Sequence, residues 1–406
     1  SLNARAKLKM NNSYLDFRDK ESVGSEKITE FTIDNTNQNL IVWDVSDIHD
    51  IVSIPYVLDA GKAKLKIATD TIKEFIAFYP SGGFPSPQLE ADDLGVVESQ
   101  NLKSFSNPNM FIVSYPDFMQ FANELADYRR SFNQLDVVVT TPEKIYNEFS
   151  SGRPDVTAIR NFVKYYYDKA NEDESLMPKY LLLFGDGSYN NKSTHPDSLS
   201  FVPTYQSENS LSPIYSYVSD DYFALLDDGE EMYDGALDIG VGRLPISSEF
   251  EAESVVNKLI SYNDKDRIGD WRNTICFIGD DEDFNIHMLQ ANELAEYVET
   301  NYPSFNVNKI FLDAYPQIAT PTGQRYPAVN KAINDQIAKG ALIMNYTGHG
   351  GTSALAHEHI LEINDVNKWE NTRKLPLFMT ATCEFSRYDD PAKVSAGERV
   401  ILNPKG

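Results

Sequence analysis

The chain has 406 residues, enough for two or three domains, with 41% hydrophobic and 24% charged residues, the balance of an ordinary folded protein. Its 61 acidic residues outnumber 36 basic ones, and the resulting net charge of -25 repels phosphate and argues against a nucleic-acid partner. No apolar run approaches the ~18 residues of a membrane helix, and no basic-then-apolar leader opens the chain, so it reads as cytosolic or as a mature or excised piece of a secreted protein.

Residues 1–107 read as β-rich. The runs "KITEFTIDN", "NLIVWDVSD", "AKLKIA" and "EFIAFYP" alternate or stay apolar between turn residues, and "PSGGFPSPQLEADDLG" at 80–95 has the composition of a linker. The opening "NARAKLKMNNS" has no clear domain start, so this first region is expected to be incomplete.

From Pro108 onward strands alternate with helices. "MFIVSY" precedes "FMQFANELADYRR", with Phe118, Phe121, Ala122 and Leu125 on one helical face. "LDVVVT" precedes "PDVTAIRNFVKYYYDKA", where Pro154 and Asp155 suit a first turn. "KYLLLFGDGS" and "LDIGVGRLP" are further strands, and Ser248 with Glu251 fits a capping box at the next helix. A second series follows: "NTICFIGDD", "NKIFLDAY", "ALIMNY" and "LPLFMTATC" as strands, separated by "NIHMLQANELAEYVET", "AVNKAINDQIAKG" and the shorter "NDVNKWENTR" as helices. Apolar strands alternating with helices imply parallel sheets covered on both faces, and a break near 262–271 divides 108–265 from 266–406.

Ligands of such sheets bind beyond the carboxyl ends of the strands. "ALIMNY" delivers His349 there and "LPLFMTAT" delivers Cys383, from two consecutive strands. A thiol beside an imidazole is a nucleophilic pair suited to acyl transfer, and the glycines around His349 allow close backbone approach and free N–H groups for an oxyanion. Cys276, inside "TICFI", reads as core; the two cysteines can form one disulfide at most.

Other signals are weaker. His357 and His359 are two apart rather than at the helical i, i+4 spacing of zinc peptidases, so metal catalysis is not expected; Glu358 either faces the pair or is a loop charge. "VSDDYFALLDDGEE" packs six acids into Asp220–Glu231, where calcium is conceivable but the oxygen spacing matches no known loop; a solvated turn is the default there and in "GDDEDF" at Gly279–Phe284. "FGDGSYNN" lacks the lysine of a phosphate loop.

"NYTGHGG" at 345–351 and "LPLFMTATCEF" at 375–385 resemble the gingipain-type cysteine peptidases, relatives of the caspases. "IYNEFSSGRPDVTAIR", "FVPTYQS", "SDDYFALLDDGE", "IGVGRLP" and "ATCEFSRYDDPAKVSAGE" are similar to the sortases of the Bacteroidetes type IX secretion system, and the resemblance covers 108–406. It implies a caspase/gingipain-like α/β fold: parallel sheets with helices on both faces, in two subdomains. It places a catalytic dyad on Cys383 and His349 and an oxyanion hole on the N–H groups of Gly350 and Cys383. It suggests substrate contacts at Asp220 and Asp221, and help to His349 from Glu208; Glu358, facing the pair, is a further candidate substrate contact.

The implied activity is removal of C-terminal signal domains from secreted cargo and attachment of the cargo, through a thioester, to an amine of anionic lipopolysaccharide. The implied setting is the cell surface at the outer membrane, with a partner barrel of the secretion system. No cofactor or catalytic metal is required; structural calcium is compatible. Family members continue past "ILNPKG", so the catalytic region is expected to be truncated here. A purely hydrolytic gingipain-like protease and a catalytically silent binding module remain as alternatives.

Overall fold

The computed structural model describes residues 6–47, 50–82, 99–193, 195, 199–207, 216–230, 232, 234–321 and 323–406. The chain forms two compact units, Ser1–Glu98 and Ser99–Gly406. From residue 83 onward the expected linker lies outside the described residues.

The first unit contains β1 (Tyr14–Arg18), β2 (Ile28–Asp34), β3 (Ile41–Asp44), β4 (Val52–Ser53), β5 (Val57–Asp59), β6 (Lys62–Ala68) and β7 (Glu74–Phe78). They form two antiparallel sheets, ordered β1-β7-β3-β4 and β2-β6-β5. Alternate residues point inward from each: Val42, Phe75 and Ala77 from one sheet meet Phe31, Ile33, Ala63 and Leu65 from the other. The ring of Phe17 stacks on Phe75 at 5.1 Å and tilts against Phe31 at 5.7 Å.

The second unit carries two parallel sheets. Its first half runs β8 (Met110–Ser114), α1 (Met119–Asn133), β9 (Val137–Thr140), α2 (Pro142–Phe149), α3 (Val156–Ala170), β10 (Tyr180–Phe184), the short hairpin β11 (Tyr205–Gln206) and β12 (Val218–Ser219), β13 (Gly240–Leu244) and α4 (Glu249–Ser261). The sheet order is β13-β10-β8-β9, all parallel. Strand β8 is buried on both faces: Phe111 and Val113 pack under α3, Met110 and Ile112 under α1 and α4. Each such side chain contributes about 1.5–3 kcal/mol by leaving water. At the start of α4, Ser248 Oγ accepts from the N–H of Glu251 at 3.3 Å, while Glu251 Oε2 accepts from the N–H of Ser247 rather than Ser248, so the expected capping box is displaced by one residue.

The second half runs β14 (Thr274–Gly279), α5 (Ile286–Asn301), β15 (Asn306–Phe311), the hairpin β16 (Ile318–Thr320) and β17 (Gly323–Arg325), α6 (Pro327–Lys339), β18 (Ile343–Thr347), the small antiparallel sheet β19 (Gly350–Gly351), β20 (Ala354–Leu355) and β21 (Leu361–Glu362), then α7 (Ile363–Val366), β22 (Leu377–Ala381) and α8 (Ala396–Leu402). The main sheet is β15-β14-β18-β22, parallel throughout. Cys276, Ile278, Met344 and Tyr346 pack beneath α6; Ile275 and Phe277 face the α5 side. Helix α6 ends at Gly340, whose φ of 94° and close approach to Trp271 and Lys374 leave no room for a side chain. No described helix is long and apolar enough to cross a membrane.

Candidate active site

The site is built at the carboxyl ends of β18 and β22. These strands pair in register, Thr347 opposite Ala381, and the Gly348 N–H donates to the Ala381 carbonyl at 3.2 Å. Each chain then runs two residues further, to His349 and to Cys383. The two loops stay in contact: a Cβ on Gly350 would lie 2.5 Å from Thr382 Oγ1, so only glycine lets the histidine loop approach the cysteine loop this closely. Gly348 is packed as tightly, since its Cβ would fall 2.3 Å from Asp280 Cβ.

Cys383 is exposed and free, and it precedes the 3-10 turn Glu384–Ser386. Phe385, buried to 1%, roots that turn, and its N–H donates to the Cys383 carbonyl at 2.6 Å. Cys276 is also free, but it sits inside β14 with no exposed surface, and burial pushes its thiol up to about 12. It is core, as its sequence context indicates.

His349 is held from three directions. Its backbone N–H donates to Asp280 Oδ2 at 2.9 Å, and its carbonyl accepts from the Tyr346 hydroxyl at 2.6 Å. Its Nε2 lies 2.9 Å from Asp283 Oδ2. The His357 ring stacks on it at 5.1 Å, and the His287 ring meets it edge-on at the same distance. The hydrogen bond from His349, with smaller help from His287 3.3 Å away, holds the Asp283 carboxyl below the usual carboxylate range. With Nε2 occupied by the carboxylate, Nδ1 is the nitrogen left for proton exchange with a thiol or substrate.

Asp283 is the residue the sequence reading missed. "GDDEDF" reads as a solvated acidic turn, yet Asp280 is fully buried beneath the histidine loop and Asp283 reaches the ring. Asp283, Phe284 and Asn285 have φ of 53°, 58° and 66°, three successive left-handed residues that turn the chain back toward His349. Such a run costs about 1–2 kcal/mol per residue and persists where surrounding contacts fix it. One of those contacts is the Asn285 side-chain amide donating to Asp313 Oδ2 at 2.9 Å.

The expected substrate-facing residues are arranged differently. Asp220 is not an open anionic floor: both its oxygens accept from Arg243, Nε and Nη2 at 2.8 Å each, with the two side chains 11% and 4% exposed. The same guanidinium donates to the carbonyls of Gly185, Val202 and Pro203 and lies 5.0 Å from the Tyr388 ring centroid, five residues past Cys383 in sequence. Asp221 is exposed. Glu358 is 4% exposed and accepts from the Gln317 amide at 3.0 Å, so it lies inside the protein instead of lining a substrate cleft. Glu208 lies outside the described residues.

Three groups among the described residues have the spacing of metal ligands: Asp283, His287 and His349; Asp227, Glu230 and Asp238; and Asp280, Asp281 and Glu358. His357 and His359 belong to none of them; His359 Nδ1 pairs with Glu362 at 2.7 Å. The acids of the second group accept from backbone N–H groups of Leu226, Asp227 and Ala236 and from the Tyr167 hydroxyl, as a hydrogen-bonded surface turn does.

In sequence and in fold the chain is similar to known proteins. Residues 103–406 match the sequence profile described as Peptidase family C25. The chain belongs to peptidase family C25. Its architecture is similar to that of dimeric latent PorU from Porphyromonas gingivalis, with 30% identity, a TM-score of 0.56, and coverage of 65% of this chain and 26% of that one. It shares its fold with the Arg-specific cysteine proteinase gingipain R, at 18% identity and a TM-score of 0.53, covering 75% of this chain and 61% of that one. The complex of Porphyromonas gingivalis RgpB pro- and mature domains gives 19% identity, a TM-score of 0.53, and coverage of 72% and 60%. The chain thus spans about a quarter of the PorU chain and about three-fifths of the gingipain chains. No curated protein matches it in sequence. The fold is therefore the gingipain-type α/β fold that the motifs imply, in a family of cysteine peptidases.

Proposed function

We propose that this C25 peptidase chain is the catalytic portion of a type IX secretion sortase, with Cys383 as nucleophile, His349 as acid–base and Asp283 as the carboxylate that orients His349. One observation carries the reading: an exposed free thiol and a carboxylate-bound imidazole leave neighbouring parallel strands at matched positions. The motifs shared with the sortases and the 30% identity to latent PorU support this over a generic protease.

His349 takes the thiol proton as sulfur attacks the scissile carbonyl carbon, and the tetrahedral oxyanion is stabilised by the N–H groups of Gly350 and Cys383. The C–N bond breaks as His349 returns the proton to the leaving amine, and a thioester remains on Cys383. An incoming amine, delivering its proton to His349, attacks the thioester; the new amide forms and sulfur leaves as the re-protonated thiol. Asp283 holds the imidazole orientation in both halves. Cargo bearing a C-terminal signal domain supplies the acyl group, and an amine of anionic lipopolysaccharide accepts it at the cell surface beside an outer-membrane barrel. The carboxylate of Asp220 is taken by Arg243, so the reading assigns it no part in recognising a cationic side chain.

The test is mass analysis of processed cargo from cells carrying wild-type or Cys383→Ala protein. An amine conjugate at the new C-terminus, lost in the variant, supports transfer. A free carboxylate shows hydrolysis alone, and normal processing in the variant refutes the nucleophile.

A further inference from the structure

A second group of acids lies behind the histidine loop, with a geometry the peptidase chemistry does not use. Asp280 and Asp281 directly follow strand β14, and Glu358 comes from the turn between β20 and β21. One carboxylate oxygen from each lies within 4.8 Å of the others. Asp280 is fully buried and Glu358 is 4% exposed. Among the described residues no lysine, arginine or histidine pairs with any of the three. Neutral donors satisfy part of the set: the Tyr326 hydroxyl donates to Asp281 Oδ2 at 2.6 Å, and the Gln317 amide to Glu358 Oε1 at 3.0 Å. Two oxygens, Asp281 Oδ1 and Glu358 Oε2, are fully buried and have no hydrogen-bond partner. An unpartnered buried carboxylate oxygen is destabilising, and three carboxylates repel one another across so short a span.

We propose that Asp280, Asp281 and Glu358 form a binding site for a hard divalent cation, calcium, that locks the loop carrying His349. The donors are all oxygen, which disfavours zinc and copper. Oxygens no more than 4.8 Å apart can meet around one cation, and a site walled by protein oxygens favours calcium because magnesium gives up its waters reluctantly. The bound ion supplies the partner that Asp281 Oδ1 and Glu358 Oε2 lack. It also fixes Asp280, whose other task is to accept the backbone N–H of His349, so ion occupancy and histidine placement are coupled. The site stands without the reading of Cys383, because ion binding needs no thiol chemistry.

The experiment is thermal unfolding of the full chain, stripped with chelator, against added CaCl2 or MgCl2. Calcium at about a hundred times its dissociation constant raises Tm by about 3–4 °C in the wild type. Glu358→Gln loses this shift, and in chelator it melts above the wild type, because a buried charge without a partner is gone; Asp227→Asn, in the surface turn, keeps the calcium response. The Cys383→Ala protein keeps it too, which separates this site from the catalytic reading. As a readout independent of any folding defect, Tb3+ bound to the wild type emits on tyrosine excitation through Tyr326 and Tyr346, and calcium displaces it. No calcium shift in the wild type, an equal shift in Glu358→Gln, a larger shift with MgCl2, or the absence of calcium-displaceable emission would each overturn the proposal.

Discussion

The two parallel sheets of the second unit are alike in strand number and direction, yet their carboxyl ends are used in opposite ways. Beyond the first sheet the buried ion pair is tied down. Arg243 on β13 neutralises Asp220, caps three carbonyls and lies against Tyr388, and no part of that pair is left for a ligand. Beyond the second sheet the chain carries an exposed thiol, a three-residue left-handed turn and a histidine whose ring meets a carboxylate and stacks on a second histidine. The first end spends its charge on holding two halves of the unit together; the second leaves polar groups where a substrate can meet them. Burial of ion partners marks the structural end, and strain with exposure marks the chemical one.

Substitutions at the two ends should therefore separate activity from stability. Cys383→Ala is expected to lower acyl transfer by ~10⁴-fold or more while the urea midpoint stays within error, as for an exposed side chain; a parallel fall in stability would blur the contrast. Arg243→Ala does the reverse at the other end: it strands Asp220 in a nearly dry site and should lower unfolding free energy by about 3–5 kcal/mol in urea titrations. Asp283→Asn should reduce kcat by about 100-fold with little change in Tm, since the carboxylate is 59% exposed and acts through the imidazole.

The smallest effect sharpens the comparison through pH. Glu398, at the head of α8, is 4% exposed, and burial, with the Asp186 charge second, pushes its carboxyl up to about 8. The folded protein therefore holds this proton through a range where the unfolded chain, near its model value of 4.5, has lost it. Stability from this group is fully present below about pH 4.5 and declines as pH rises toward about 8. Glu398→Gln should flatten that decline in Tm-versus-pH curves; an unchanged slope would show that the carboxyl ionises freely.

Much of this was legible in the chain because the strands are continuous apolar runs. "MFIVS", "YLLLF", "TICFIG" and "IMNYT" lie where their pattern puts them, and His349 and Cys383 leave the ends of β18 and β22 as chain order requires. Short elements escaped. Helix α2 is eight residues long, and the sheet of β19, β20 and β21 has two-residue strands, too brief for periodicity to register. The pairing of Asp220 with Arg243 spans 23 positions and that of Asp283 with His349 spans 66, and residue type alone does not distinguish a carboxylate on a surface turn from one folded onto a ring. What signal existed was a local one: an acidic tetrad directly after an apolar strand, where a parallel sheet presents its ligands.

The most direct test of the central claim is the rate at which Cys383 is alkylated near neutral pH, followed by peptide mass analysis, in wild type, His349→Ala and Asp283→Asn. Pairing of thiol and imidazole predicts rapid labelling confined to Cys383 in the wild type, a large fall in His349→Ala and a smaller one in Asp283→Asn. Equal rates in all three proteins would contradict it, because an exposed thiol without a partner reacts the same whatever becomes of the histidine.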